Sequence, residues 1–150
     1  LSLYMDRSGY LWAGTYAGGV CKTYLADINF TCYQSDPADA TSLGSDAVMA
    51  VYQDSKDNIW IGTGGGGFNK YDPQTGTFIQ FRESDGLAND FVYGILEDRA
   101  GFLWLSTNRG LSRFDPGTET FRNYTSHDGL QSDEFNQGAY LLTQDGRIFF

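Results

Sequence analysis

His127 stands beside Asp128, and an imidazole next to a carboxylate is the smallest set that could do general acid–base chemistry, which needs a positioned base and acid. It is the only histidine in the chain. Cys21 and Cys32 could close a disulfide or remain as a pair of reduced, buried thiols. With no histidine or further cysteine beside them, they do not make a metal-ligand set. A third group, Tyr16, Asn89, Asn108, Arg109 and Gln131 together with His127, combines a ring, amides and a guanidinium. Such groups could contact a ligand or a partner, because rings offer apolar faces and amides offer hydrogen bonds. What these residues can do depends on the elements that hold them.

Those elements repeat. Asp54 to Phe68 (DSKDNIWIGTGGGGF) is restated as Asp6 to Val20 (DRSGYLWAGTYAGGV) and as Asp98 to Leu111 (DRAGFLWLSTNRGL). Trp12, Trp60 and Trp104 recur at a spacing of about 45 residues, and Phe149 takes the same place once more. Downstream, Tyr71-Asp72-Pro73 matches Phe114-Asp115-Pro116, and Thr77 to Phe81 matches Thr120 to Tyr124 and Asn29 to Tyr33. Asp85-Gly86-Leu87 matches Asp128-Gly129-Leu130. A period of this length with about four short apolar runs per unit predicts an all-β fold of four-stranded, antiparallel propeller blades, about three and a half of them.

Composition agrees with that class. Nineteen glycines and a 16% aromatic content suit turn-rich β structure better than helix. A formal charge of −9 from 10 Lys+Arg against 19 Asp+Glu argues against nucleic acid as a partner, since phosphate backbones would be repelled. No signal peptide and no apolar run of membrane-spanning length is visible. The chain starts inside one strand-like run and stops inside another, so it reads as part of a longer protein.

Strands are expected over Leu1 to Met5, Leu11 to Thr15, Val20 to Tyr24 and Phe30 to Gln34 in the first unit. The second has Ala47 to Gln53, Ile59 to Thr63, Phe68 to Asp72 and Thr77 to Arg82. The third has Val92 to Glu97, Phe102 to Thr107, Gly110 to Asp115 and Thr120 to Tyr124, and Ala139 to Thr143 with Arg147 to Phe150 begin a fourth. This divides the chain into blades over 1–46, 47–90 and 91–138 and a further, last blade begun over 139–150. The tryptophans should pack between neighbouring blades, and Asp6, Asp54 and Asp98 should accept backbone bonds in the turns that follow them.

Pairing outward from the turn at Pro73 to Gly76 sets Asn69 opposite Gln80. Cys21 and Cys32 occupy those places in the first unit and should face each other. A cross-strand disulfide there would fit an oxidising compartment. The connection between second and third strands and the crossing to the next blade leave a blade at the same end, where loops on a rigid scaffold commonly carry function. That end gathers the six binding candidates and Gly64 to Gly67, Asp90, Asp128 and Asp133. Tyr16 and Arg109 break the small-residue pattern of the equivalent loops. His127 has Ser84 in its place one repeat earlier, which weakens an enzymatic reading.

The motif D-x-x-G-x-L-W-x-G/S-T, followed by glycine, Y/F-D-P and an outer F-x-x-Y strand, resembles the two-component regulator propeller repeat of hybrid histidine kinases from Bacteroidetes. The crossing DPADATSLGSDAVMAVYQD is similar to the crossing of that family, and Asp128 to Phe150 to its last repeat. The resemblance implies a periplasmic sensor propeller, the extracytoplasmic region of an inner-membrane protein. It would bind an extracellular cue such as a glycan fragment and relay it to a kinase that this chain does not contain. It implies no cofactor. Expected partners are a small-molecule or oligosaccharide ligand and further blades or a second copy of the chain. The alternatives are a non-catalytic protein-interaction propeller and a propeller lyase or hydrolase.

Overall fold

The computed structural model describes residues 2–27 and 29–150. Leu1, the first residue of the first expected strand, lies outside them. β1 (Ser2–Met5), β2 (Tyr10–Gly14), β3 (Val20–Tyr24) and β4 (Thr31–Tyr33) form one antiparallel sheet in that order. β5 (Val48–Gln53), β6 (Ile59–Thr63), β7 (Phe68–Asp72) and β8 (Thr77–Phe81) form the second. β9 (Val92–Glu97), β10 (Leu103–Thr107), β11 (Gly110–Asp115) and β12 (Thr120–Tyr124) form the third. A short hairpin, β13 (Leu141–Leu142) with β14 (Ile148–Phe149), follows. No α-helix occurs among the described residues, and none of their helices is long and apolar enough to cross a membrane. Single 3-10 turns at Glu83–Asp85 and Ser126–Asp128, which the strand pattern did not predict, follow β8 and β12.

Each sheet is locked by the same aspartate. One oxygen of Asp54 accepts the N–H groups of Lys56 and Asn58, each at 2.9 Å, and so fixes the turn between β5 and β6. The other oxygen accepts the indole N–H of Trp60 at 2.8 Å. Asp6 treats Ser8, Tyr10 and Trp12 in the same way, and Asp98 treats Ala100, Phe102 and Trp104. The expected turn bonds are present, and the carboxylate also sets the orientation of the ring. Trp12 then packs edge-on to Tyr71 of the second sheet at 5.1 Å, and Trp60 to Phe114 of the third at 5.5 Å. Two apolar clusters result, one between the first and second sheets and one between the second and third.

A second aspartate series closes the other end of each sheet. The carbonyls of Asp46, Asp90 and Asp133 accept from Gly19 (3.0 Å), Gly67 (2.9 Å) and Gly110 (2.6 Å), where the third strands begin. Their carboxylates take the N–H groups of Ser35, Glu83 and Ser126, where the outer strands leave. The crossing and the connection between second and third strands therefore meet at one end, as the strand order implied.

The predicted register is observed, with Asn69 opposite Gln80 and Cys21 opposite Cys32. Cys21 and Cys32 are joined by a disulfide, and Cys32 is exposed, so the alternative of two reduced, buried thiols does not describe this hairpin. In the other sheets the matching pair is polar and holds the incoming crossing. Asn69 accepts from Gly44 N–H and Gln80 donates to the Ser42 carbonyl, while Ser112 accepts from Ala88 N–H and Asn123 donates to the Gly86 carbonyl. The bridge closes a loop of a dozen residues, which loop-closure entropy values at about 2–3 kcal/mol. Reduction under native conditions should lower the melting temperature by several degrees, read by circular dichroism with and without dithiothreitol. An unchanged midpoint in the Cys21→Ser/Cys32→Ser chain would show that the hairpin contributes nothing to the cooperative unit.

Candidate functional site

At the crossing end, the loop residues divide into one linked group and several single ones. Glu83, in the turn after β8, accepts a bond from the Asn89 amide at 2.8 Å and pairs with Arg109 at 3.7 Å. Asn89 and Arg109, from the crossing and from the β10–β11 loop, are thereby brought together across one carboxylate. Asn108 sits exposed beside them in sequence. Gln131 instead donates to the Phe150 carbonyl at 3.0 Å. Tyr16, 77% exposed in the β2–β3 loop, and His127 form no side-chain hydrogen bond or ion pair among the described residues.

The His127–Asp128 neighbours do not form a dyad. Both lie in the exposed 3-10 turn, and the Asp128 carboxylate turns back to the N–H and hydroxyl of Thr125. Asp85, at the matching place, does the same for Arg82 N–H. This carboxylate caps a turn. The expected binding candidates therefore share an end of the molecule but do not converge on one cavity.

The larger cavities lie at the opposite end, between sheets. One of about 420 Å³ opens between the first and second sheets, with Lys22, Tyr10, Trp12, Tyr71, Lys56 and Asn58 in its walls. Here the Lys22 ammonium donates to the Tyr71 hydroxyl at 2.7 Å, and Tyr71 shares a hydrogen bond of 2.8 Å with Tyr33. The ammonium lies 4.6 Å from the Tyr71 ring centroid and 5.3 Å from those of Trp12 and Tyr10, within cation–π range. Burial pushes the Tyr33 phenol up, its bond to Tyr71 adds to the rise, and the Lys22 charge opposes it.

Sequence reasoning missed this network, although a signal existed. Tyr33 and Tyr71 stand where the next repeat has Phe81 and Phe114. Between the second and third sheets those phenylalanines pack with Trp60, Phe68 and Phe121 into an apolar cluster, and Lys70 lies over Trp60 at 5.4 Å with phenylalanines in place of the two tyrosines. The polar residues that bridge neighbouring turns were missed as well. Arg7 reaches Asp57 at 3.0 Å and the Asp54 carbonyl, Ser55 reaches Glu97 at 2.6 Å, and Arg99 reaches the Asp145 carbonyl. Each follows an anchoring aspartate by one position.

Radially successive, four-stranded antiparallel sheets joined by crossings at one end, with inner strands β1, β5 and β9 side by side, define the protein as a β-propeller segment. The family model for the two-component regulator propeller matches residues 42–65 and 86–109. Both stretches run from a crossing through the anchoring aspartate and tryptophan to the loop beyond. These two stretches are similar to repeats of the two-component regulator propeller family.

Solved structures agree. Two structures of the extracellular domain of BT4673 from B. thetaiotaomicron, a one-component system in one and a hybrid two-component system in the other, superpose with TM-scores of 0.79 and 0.80 at 26% and 25% identity. Each comparison covers 97% of this chain and 21% of the neighbour, so the chain spans about a fifth of that domain. Virginiamycin B lyase from Staphylococcus aureus superposes with a TM-score of 0.67 at 19% identity, covering 97% of this chain and 46% of the lyase. That likeness shows the fold alone. No curated protein matches the chain in sequence.

Proposed function

We propose that the chain is part of an extracytoplasmic sensor propeller of a two-component signalling protein, that it binds an extracellular cue of the glycan-fragment class, and that it passes the signal to a kinase in the same protein. The observation that carries this reading is the match, over nearly the whole chain, to an extracellular domain of a two-component system. A periplasmic location, outside the inner membrane, is in keeping with the Cys21–Cys32 disulfide, because such bonds persist in oxidising compartments. Further blades of the same protein, or a second copy of the chain, would complete the ring.

On this reading the chain is not catalytic. Its only histidine is a surface residue whose neighbouring carboxylate is engaged elsewhere, so the proton-transfer pair a lyase or hydrolase needs is not assembled at His127. The Glu83–Asn89–Arg109 group and Tyr16 are the contacts proposed for the cue at the crossing end. Titration with a panel of oligosaccharide fragments tests this. Tyr16→Ala and Arg109→Ala should each weaken the best binder about tenfold, a loss of about 1.4 kcal/mol. Unchanged affinity in both variants removes the crossing end from the proposal.

A further inference from the structure

We infer that the cavity between the first and second sheets is a binding site for a small organic carboxylate whose ring lies against Tyr10. The inference rests on the sensor reading only in that both concern a small extracellular ligand. Its location is at the other end of the blades from the loop residues proposed above.

Charge gives the class of ligand. In a chain of net charge −9, two lysines, Lys22 and Lys56, line one cavity, Lys56 at the edge it shares with the neighbouring crevice, and neither forms an ion pair among the described residues. The carboxylates that share the walls are already engaged. Asp6 accepts from two backbone N–H groups and the Trp12 indole, and Asp57 is held by Arg7 and Gln53. An ammonium has three donors. Lys22 directs one to the Tyr71 hydroxyl, which holds the head group in place beneath the cavity and leaves donor capacity for an incoming anion.

Shape and lining give the rest. About 420 Å³ lies within the range of small-molecule sites and accommodates a single six-membered ring with its substituents. Tyr10 is the partly exposed ring of the wall, steadied edge-on by Tyr24 at 5.5 Å. Asn58 and Ser8 supply hydrogen-bonding groups for ring substituents. The departure from the repeat supports a role beyond packing. The corresponding crevice between the second and third sheets is more open, and Phe114 fills the place of Tyr71 with no hydroxyl to fix a lysine. The lysine is common to both seams, since Lys70 lies over Trp60 as Lys22 lies over Trp12; what differs is the Tyr33–Tyr71 hydroxyl pair, where the neighbouring seam has Phe81 and Phe114.

The probe is D-glucuronate, with D-glucose as the matched ring that lacks the charge, followed by titration calorimetry on the intact chain. Glucuronate should saturate one site and bind at least about tenfold more tightly than glucose. Lys22→Met should cost about tenfold or more, and Lys56→Met a smaller factor. Tyr71→Phe, which the fold accepts at Phe114, should also weaken binding while leaving the melting temperature within a few degrees. It therefore separates loss of the site from loss of the fold. Arg109→Ala should leave glucuronate affinity unchanged. No saturation by glucuronate, equal binding of glucose, or wild-type affinity in Lys22→Met and Tyr71→Phe overturns the site. If oligosaccharides bind through Arg109 while glucuronate does not bind, the sensor proposal stands and this site falls. If glucuronate binds through Lys22 while no oligosaccharide responds, the site stands and the crossing-end proposal falls.

Discussion

Trp60→Ala is expected to destabilise the protein by about 3–5 kcal/mol, the range for removing a large buried aromatic side chain. Trp60 is 1% exposed, stacks on Phe68 at 4.7 Å and meets Phe114 of the next blade, so its removal opens a cavity shared by two sheets. The bond to Asp54 is the smaller part of the loss. The Asn58 amide donates to the same carboxylate oxygen at 2.8 Å and keeps it satisfied when the indole is gone. Trp104→Ala should cost clearly less, because that ring stacks on Tyr124 of its own blade and is only half-buried beside the final hairpin. Thermal melts of the two variants check the order. For a chain of this size each kcal/mol moves the midpoint by about 2–4 °C. Equal shifts would mean that packing between blades is not what the tryptophan supplies.

Gly67→Ala is the second large effect, and here the reason is backbone geometry. Gly67 has φ +72°, and a Cβ on it would clash with the Phe81 carbonyl oxygen at the end of the outer strand. Gly19 and Gly110 sit the same way against Tyr33 and Tyr124. Strain of about 1–3 kcal/mol from the left-handed conformation adds to a clash with a carbonyl that belongs to the edge of the sheet. The Gly67 N–H also docks the crossing through Asp90, so a shift there would propagate to the next blade. The control is Gly65→Ala, which has a similar φ of +84° but only ordinary contact with Phe91. Gly67→Ala should unfold at markedly lower denaturant than Gly65→Ala. Similar midpoints would show that φ alone, and not the close approach, sets the requirement for glycine.

The fold was legible because every level of the sequence repeats. β3, β6, β7, β9, β11 and β12 match the expected strands residue for residue, and the others differ by one or two positions at their ends among the described residues. The weakest match is the last hairpin, where two-residue strands replace the longer runs expected over Ala139 to Thr143 and Arg147 to Phe150. The register between β3 and β4 followed from turn symmetry alone and brought the cysteines together.

What stayed hidden depends on which side chains different blades bring together. The spacing of Asp54 and Trp60 indicates a turn and a buried ring, but the hydrogen bond between them appears only when the hairpin folds back over six residues. The clamp of Asn69 and Gln80 on Ser42 and Gly44 links positions far apart in sequence, as does the contact of Lys22 with Tyr71. Of the loop positions gathered at the crossing end, Asn89 and Arg109 are linked through Glu83, a residue the repeat pattern did not single out. The tyrosines that matter for a cavity both conform to the repeat, Tyr33 as the last residue of the outer F-x-x-Y strand and Tyr71 as the first of Y/F-D-P, so nothing in their own blade marked them out.

A binding isotherm with recovery of the ligand tests the sensor account most directly. The chain is titrated with the oligosaccharide panel, and the ligand is analysed after prolonged incubation. The account predicts a saturable isotherm for a small ligand that is returned chemically unchanged. Turnover of the ligand would make the propeller an enzyme, and the absence of any saturable binder would leave it as an interaction scaffold. Either result contradicts the account.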